Sequence, residues 1–165
     1  MALADGQTTI EIRLAAVDEA PFLESLLRQS FLEYEALYTP EAFAATTPSA
    51  TQIRSRWAEG PVWLALRAGE RVGTVAAVPR GASLHVRSMG IVPSARGRGI
   101  GVLLLEQVEQ FARLRGFERM DLSTTPFLLQ AIRRYERFGF VRTAAGPHEL
   151  WGTPLFTMEK SLSAG

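Results

Sequence analysis

From Leu84 the chain runs through an apolar, strand-like stretch to Ile91 and crosses a short link carrying Pro93. It then enters Arg96-Gly97-Arg98-Gly99-Ile100-Gly101 and continues straight into an amphipathic helix. This run demands a strand–loop–helix unit whose loop lies against something. Glycine lacks a Cβ, so the backbone reaches φ > 0 there and a partner meets bare amides. The first-turn N–H groups of the helix have no intrahelical acceptor, and the helix dipole adds partial positive charge. The unit predicts an anion cradle suited to a phosphate group.

Spacing narrows the kind of cradle. A P-loop needs Gly-Lys-Ser or Gly-Lys-Thr at its end, but Val102 follows Gly101. A dinucleotide fingerprint needs glycines at the first, third and sixth places; counted from Gly97, the sixth place holds Val102. Asp121 stands at the right distance for a ribose contact, yet Met120 and Leu122 bracket it inside a strand. The Leu84–Ile91 strand also ends several residues before the glycines, whereas a dinucleotide turn follows its strand at once. What remains is Arg-x-x-Gly-x-Gly after a strand and a Val-Pro link.

A chain of 165 residues is read as one domain with a single core. A net charge of +1 gives no bulk attraction to nucleic acid or membrane. The lack of cysteine excludes disulfides, thiolate metal sites and an acyl-cysteine intermediate. His85 and His148 show no metal-ligand spacing, so no metal site is expected. Met1 to Gln7 carries neither a basic start nor an apolar run. It is read as a flexible N-terminus and not a signal peptide, ahead of a domain over 8–161, and the expected compartment is cytoplasmic.

Periodicity orders the elements. Ile10, Ile12 and Leu14 alternate with charges as a half-buried strand, and a helix after Asp18 aligns Phe22, Leu23, Leu26, Leu27, Phe31 and Tyr34. A short helix from Pro40 and another over about 49–58 precede the hairpin strands Val62–Leu66 and Val72–Val78, with Pro79-Arg80-Gly81 as the next turn. The helix after the glycine loop buries Leu104, Val108, Phe111 and Ala112 and ends near Gly116. Met120–Thr124 is a strand, and Thr125-Pro126 opens a helix with Leu128, Ala131, Ile132, Tyr135 and Phe138 inward. Phe140–Thr143 and Leu155–Lys160 close the chain as strands. Antiparallel hairpins with one strand–helix–strand crossover make the fold α/β or α+β.

With Ile91, Pro93, Arg96, Gly99 and Gly101, and with Tyr135-Glu136-Arg137-Phe138-Gly139-Phe140 downstream, the chain resembles the GNAT superfamily of acetyl-CoA-dependent N-acetyltransferases over residues 8 to 161. Arg134 stands where that second motif usually has Leu. The resemblance implies a mixed, mostly antiparallel central sheet of about seven strands with about four flanking helices, its fourth and fifth strands splayed apart. It implies direct transfer of an acetyl group from the cosubstrate acetyl-CoA to a primary amine of a small molecule, an amino acid, polyamine or drug-like amine. The alternatives are a protein acetyltransferase and a non-catalytic acyl-CoA-binding module. No nucleic-acid or membrane partner is expected, and a homodimer is admitted.

Site residues follow from the same resemblance. The amides of Arg96, Gly97, Arg98, Gly99, Ile100 and Gly101 hold the pyrophosphate, and the backbone of Met89, Gly90 and Ile91 pairs with the pantetheine arm. Gly90 is equally readable as a packing glycine beneath a helix. One of Arg133, Arg134 and Arg137 meets the 3′-phosphate, or all three are a solvated helix face. Tyr135 takes the general-acid position, its phenol at about 10 above the ~8.5 of a thiol, or else fills core. Ser123 replaces the usual Glu and Leu128 the usual Asn. His85 is then the candidate base, or a strand histidine satisfied by a neighbour, with Glu33, Glu35 and Asp121 behind it. Phe31, Glu35, Tyr38 and Trp151 are the candidate acceptor-binding residues, aromatics being core as often as substrate walls.

Overall fold

Ile10–Leu14 forms strand β1, an edge strand paired antiparallel with β2 (Val62–Arg67), Ile10 opposite Arg67 and Leu14 opposite Trp63. The computed structural model describes residues 9–162; the expected flexible N-terminus, Met1 to Gln7, lies outside them. After β1 come helices α1 (Ala20–Phe31), α2 (Pro40–Thr46) and α3 (Ala50–Ser55). Thr39 and Ser49 cap α2 and α3 through their hydroxyls. Strands β3 (Glu70–Arg80) and β4 (Ser83–Ile91) lead into α4 (Ile100–Leu114), β5 (Arg119–Thr124) and α5 (Leu129–Phe138). Strand β6 (Val141–Thr143), a two-stranded arm of β7 (Glu149–Leu150) and β8 (Thr153–Pro154), and β9 (Phe156–Ser161) finish the chain.

Seven strands join in the order β1-β2-β3-β4-β5-β9-β6, every pair antiparallel except β4 with β5. The helices lie on both faces. A Cβ built on Gly73 would touch Ile100 and Leu104 of α4, whereas one on Gly90 would sit 2.9 Å from Ser30 of α1. Gly90 pairs with Thr74, the neighbour of Gly73, and adjacent strand residues point to opposite faces. The core between them is aliphatic, with Leu23, Leu64, Leu84, Leu104, Leu105 and Met120 almost fully enclosed.

Local readings fail in two places, each for a tertiary reason. Pro79 belongs to β3, opposite Leu84, and the turn is Gly81 with Ala82. Ala77 donates to Pro61, so the donor that Pro79 lacks would point the same way, beyond the start of β2 where no strand partner waits. Helix α5 begins at Leu129 and not at Thr125-Pro126. Residues 125–128 instead form a turn that sets Phe127 edge-on to Tyr38, ring centroids 4.9 Å apart. The β7–β8 arm was not foreseen, and the described residues carry five α-helices, two of them under eight residues long.

One buried carboxylate ties the start of the fold together. Glu19, 6% exposed, accepts Arg13 on both oxygens, Arg71 Nε at 2.7 Å and the Ala16 amide at 2.8 Å. The Arg13 hydrogen bond leads in pulling its pKa to about 2, against burial and with help from Ala16 and Arg71. A depressed carboxylate stabilises the fold above its unfolded value of 4.5, and that stability is lost as pH falls through about 2. The stability lost over the whole window should be about 3 kcal/mol, at ~1.4 kcal/mol per unit, of which about 2 kcal/mol falls between pH 6 and pH 3. Denaturant titrations of wild type and Glu19→Gln at pH 6 and 3 check this; an equal pH dependence in the variant would remove Glu19 as its source.

Candidate active site

Strands β4 and β5 pair only through Ser83, Leu84 and His85 against Arg119, Met120 and Asp121. Beyond His85 they diverge, so Val86 to Ile91 have no strand partner on the β5 side among the described residues. A β-bulge adds to the irregularity. Thr74 faces Gly90 and Ala76 faces Arg87, so Ser88 and Met89 together oppose Val75, with Ser88 at φ 54°. The splay opens a cleft of about 490 Å³. Met89, Gly90 and Ile91 line one side, Leu122, Ser123 and Thr124 the other, and Tyr135 reaches it from α5.

The glycine loop stands at one end. Gly97 and Gly99 adopt φ 80° and 77° with open space where a Cβ would go, and Gly99 is the N-cap of α4. The first intrahelical bond is Leu103 to Gly99 at 3.2 Å, which leaves the preceding first-turn amides without helix acceptors. Ile100 contributes only backbone, since its side chain is buried under the sheet. Gly101 answers a different need. A Cβ there would lie 2.4 Å from Arg134 Nε, so the missing side chain makes room for an arginine from α5. Gly90 likewise accommodates Ser30 of α1.

Arg134 has burial, Arg96 and Arg137 all pushing its pKa down, with only the neighbouring Tyr135 opposing. It stays a cation, since arginine starts near ~12.5, and an anion among three mutually repelling guanidiniums relieves them. Arg96 is already engaged. It donates to Ile91 O at 3.2 Å and Ser30 O at 2.7 Å and pairs with Glu33, tying the end of α1 to the loop. Arg98 is exposed and makes no side-chain hydrogen bond or ion pair among the described residues. The loop and these arginines fit a pyrophosphate.

At the foot of the splay, His85 and Asp121 face each other in register, His85 Nδ1 lying 2.6 Å from Asp121 Oδ1. Ser83 donates its hydroxyl to the other carboxylate oxygen. Burial works against charge on Asp121, but the donors from His85 and Ser83 outweigh it and hold the carboxyl below its ordinary range. An ionised carboxylate only accepts, so Nδ1 carries the proton, and in the neutral imidazole the lone pair then stands on Nε2. His85 lines the cleft with its side chain 12% exposed. Sequence reasoning named His85 and Asp121 separately; their pairing depends on parallel register, which no local pattern encodes.

Tyr135 also faces the cleft, 8% exposed and edge-on to Phe140. Burial raises its pKa over the opposing pull of Arg134, so the phenol keeps its proton. Of the acceptor candidates, Phe31 and Tyr38 line the cleft, Tyr38 held up to about 12 by burial against nearby Thr125 and Thr46. Glu35 and Trp151 do not line it. The 3-10 turn Leu32–Leu37 leaves Glu35 exposed, and Trp151, 67% exposed at φ 49°, occupies the β7–β8 turn while its neighbour Leu150 lines the cleft. Thr125 was read from sequence only as a helix start. Its buried hydroxyl lies near the Tyr38 phenol, makes no hydrogen bond of good geometry among the described residues, and belongs to a residue lining the cleft.

No group of three or more His, Asp or Glu among the described residues is placed to hold a metal, and no described helix is long and apolar enough to cross a membrane. Residues 23–140 match the model of the acetyltransferase (GNAT) family. The uncharacterized N-acetyltransferase YjgM of Escherichia coli strain K12 is 27% identical over 135 residues, covering 78% of this chain and 80% of the relative. The probable N-acetyltransferase family 8 member 5 of Mus musculus is 33% identical over 132 residues, 74% of this chain and 56% of the relative. The chain thus spans little more than half of that longer protein. The PaiA N-acetyltransferase of Thermoplasma acidophilum, solved in complex with coenzyme A, shares the fold at a TM-score of 0.79 and 18% identity, over 93% of this chain and 99% of that one.

Proposed function

The chain belongs to the acetyltransferase (GNAT) family, and from that premise we propose that it moves an acetyl group from acetyl-CoA directly to the primary amine of a small molecule. The observation that carries this reading is one cleft with an open helix N-terminus, a buried phenol and a carboxylate-held histidine around it. Acetyl-CoA supplies the activated thioester. The loop amides of residues 96–101 and Arg134 hold its phosphates, and the unpaired edge of Met89 to Ile91 orients its arm. An alkyl ammonium near ~10 is only about one part in a thousand neutral at pH 7, so a base is needed. His85 Nε2 takes that proton, and the freed amine nitrogen attacks the thioester carbonyl. As the C–S bond breaks, Tyr135 gives its proton to the departing thiolate, and the surplus proton on the new amide nitrogen returns to the phenolate.

Release of free thiol from acetyl-CoA over an amine panel tests the activity. Tight CoA binding without turnover on any amine would replace it with the binding-module reading. Tyr135→Phe should lower kcat by about 100-fold, the lower end for acid–base catalysis, with CoA affinity unchanged. An unaltered rate removes Tyr135 from the mechanism.

A further inference from the structure

The charge lining the cleft is one-sided. Among the described residues five arginines border it (Arg56, Arg80, Arg87, Arg96 and Arg134), and no aspartate or glutamate does. Arg96 and Arg134 stand at the phosphate end. The other three gather beyond His85. Arg87 lies two residues from His85 on the same face of β4, and Arg80 pairs with Ser83 across the hairpin. Arg56, Arg87 and Ser88 also line a second recess of about 40 Å³, so these residues stand where the two cavities adjoin.

The anions nearby do not neutralise this cluster. Asp121 is engaged by His85 and Ser83, with Arg80 acting on it from further off. Glu59 meets Arg87 at 2.8 Å, but its side chain is 46% exposed, and such a pair is weak and easily exchanged. The half-buried Arg56 side chain has no ion pair among the described residues. A polycationic acceptor would find no carboxylate here to receive it. Tyr34, Tyr38, Leu128, Leu150 and Leu155 give the wall an apolar and aromatic part, beside the uncharged polar Thr46, Thr124, Thr125 and Gln130.

Resting on the acetyl-transfer reading above, we infer that the acceptor is an amine that also carries a carboxylate, of the amino-acid class with an apolar side chain. Arg56 and Arg87 hold the carboxylate through charge-assisted hydrogen bonds, the aromatic wall takes the side chain, and the amine faces His85. Two strand residues are separated by about 7 Å, a span a guanidinium reaches across to leave a bound α-amine beside the histidine.

Matched pairs test this. L-phenylalanine and L-methionine, each beside its amide, and spermidine are assayed for thiol release at saturating acetyl-CoA. The same compounds are titrated calorimetrically into the protein–CoA complex. Each acid should exceed its amide in kcat/KM and in affinity by about 10- to 100-fold, the range for hydrogen bonds to a charged group. The amides' amines are the less basic, so bias in the rates runs against this result. Arg87→Gln and Arg56→Gln should each bring the acid-to-amide ratio toward one, with CoA binding as the check on folding. Amides or spermidine equal to the acids in rate and affinity would overturn the inference while leaving acetyl transfer standing. Selective binding of the acids without turnover would uphold the anion site and remove the catalytic reading. Equal binding without turnover would remove both.

Discussion

Replacing His85 with Gln should lower kcat by about 100- to 1000-fold while CoA binds as before, within the usual span for a lost general base. The geometry makes this a sharp test. The His85 ring is fixed by Asp121 at 2.6 Å, and Asp121 is fixed in turn by Ser83, so little orientational freedom is left to the imidazole. Gln keeps a donor toward Asp121 but offers no nitrogen that takes up a proton near neutrality. Asp121→Asn should cost less, about 10-fold, because the amide frees Nδ1 to become the unprotonated nitrogen and turns Nε2 into a donor. Phenylalanine turnover followed from pH 6 to 9 separates the variants. Both should lose rate without losing CoA affinity, and raising the pH should recover activity in His85→Gln as free amine accumulates. If His85→Gln keeps its wild-type rate at pH 7, the histidine is a structural partner of Asp121 and nothing more.

The largest effect on stability belongs to a glycine with no unusual dihedral. Gly60 is extended, at φ 167°, yet a Cβ there would lie 1.9 Å from the carbonyl oxygen of Ala77 and 3.0 Å from its carbon. That oxygen has nowhere to retreat. Ala77 is fully buried, its amide bonds to Pro61 at 3.0 Å, and it pairs with Val86 in the middle of the sheet. Gly60→Ala should therefore cost about 3 kcal/mol, the upper end for overpacking. For a domain of this size that lowers Tm by about 6–12 °C. Gly69→Ala is the contrast. It has φ 82° and open space around it, so only backbone strain of about 1–2 kcal/mol applies. A Gly60→Ala melt no lower than that of Gly69→Ala would show that the segment after α3 slides away from β3. Such a slide would also move Glu59 and Arg56, and the acceptor preference with them.

What could be read from residues alone was whatever is local. The glycine loop, the helix after it and the hairpin around Gly69 are written in contiguous stretches, and each stands where its pattern put it. The Tyr135 segment was located by motif, and that residue does line the cleft, although periodicity alone suited a core role equally well. The rest needed the third dimension. Nothing near Asp121 in sequence says that its strand runs parallel to β4 with His85 opposite. Trp151 attracted attention as an aromatic, but the side chain that reaches the cleft is Leu150, one position earlier, because the intervening turn reverses direction. Glu35 looked suited to attract a cationic amine; it does not line the cleft, and the five arginines that border it come from the end of α3, from β3, from β4, from the glycine loop and from α5.

The contact between Gly101 and Arg134 carries a consequence for how such sequences diverge. Position 101 faces a side chain 33 residues later as well as the phosphate site. The two sites share volume: with a short aliphatic residue at 134 that contact is gone, and with arginine an alanine at 101 requires the flexible end of the Arg134 side chain to shift. A change at the loop is therefore felt on α5, and the two positions are expected to change together.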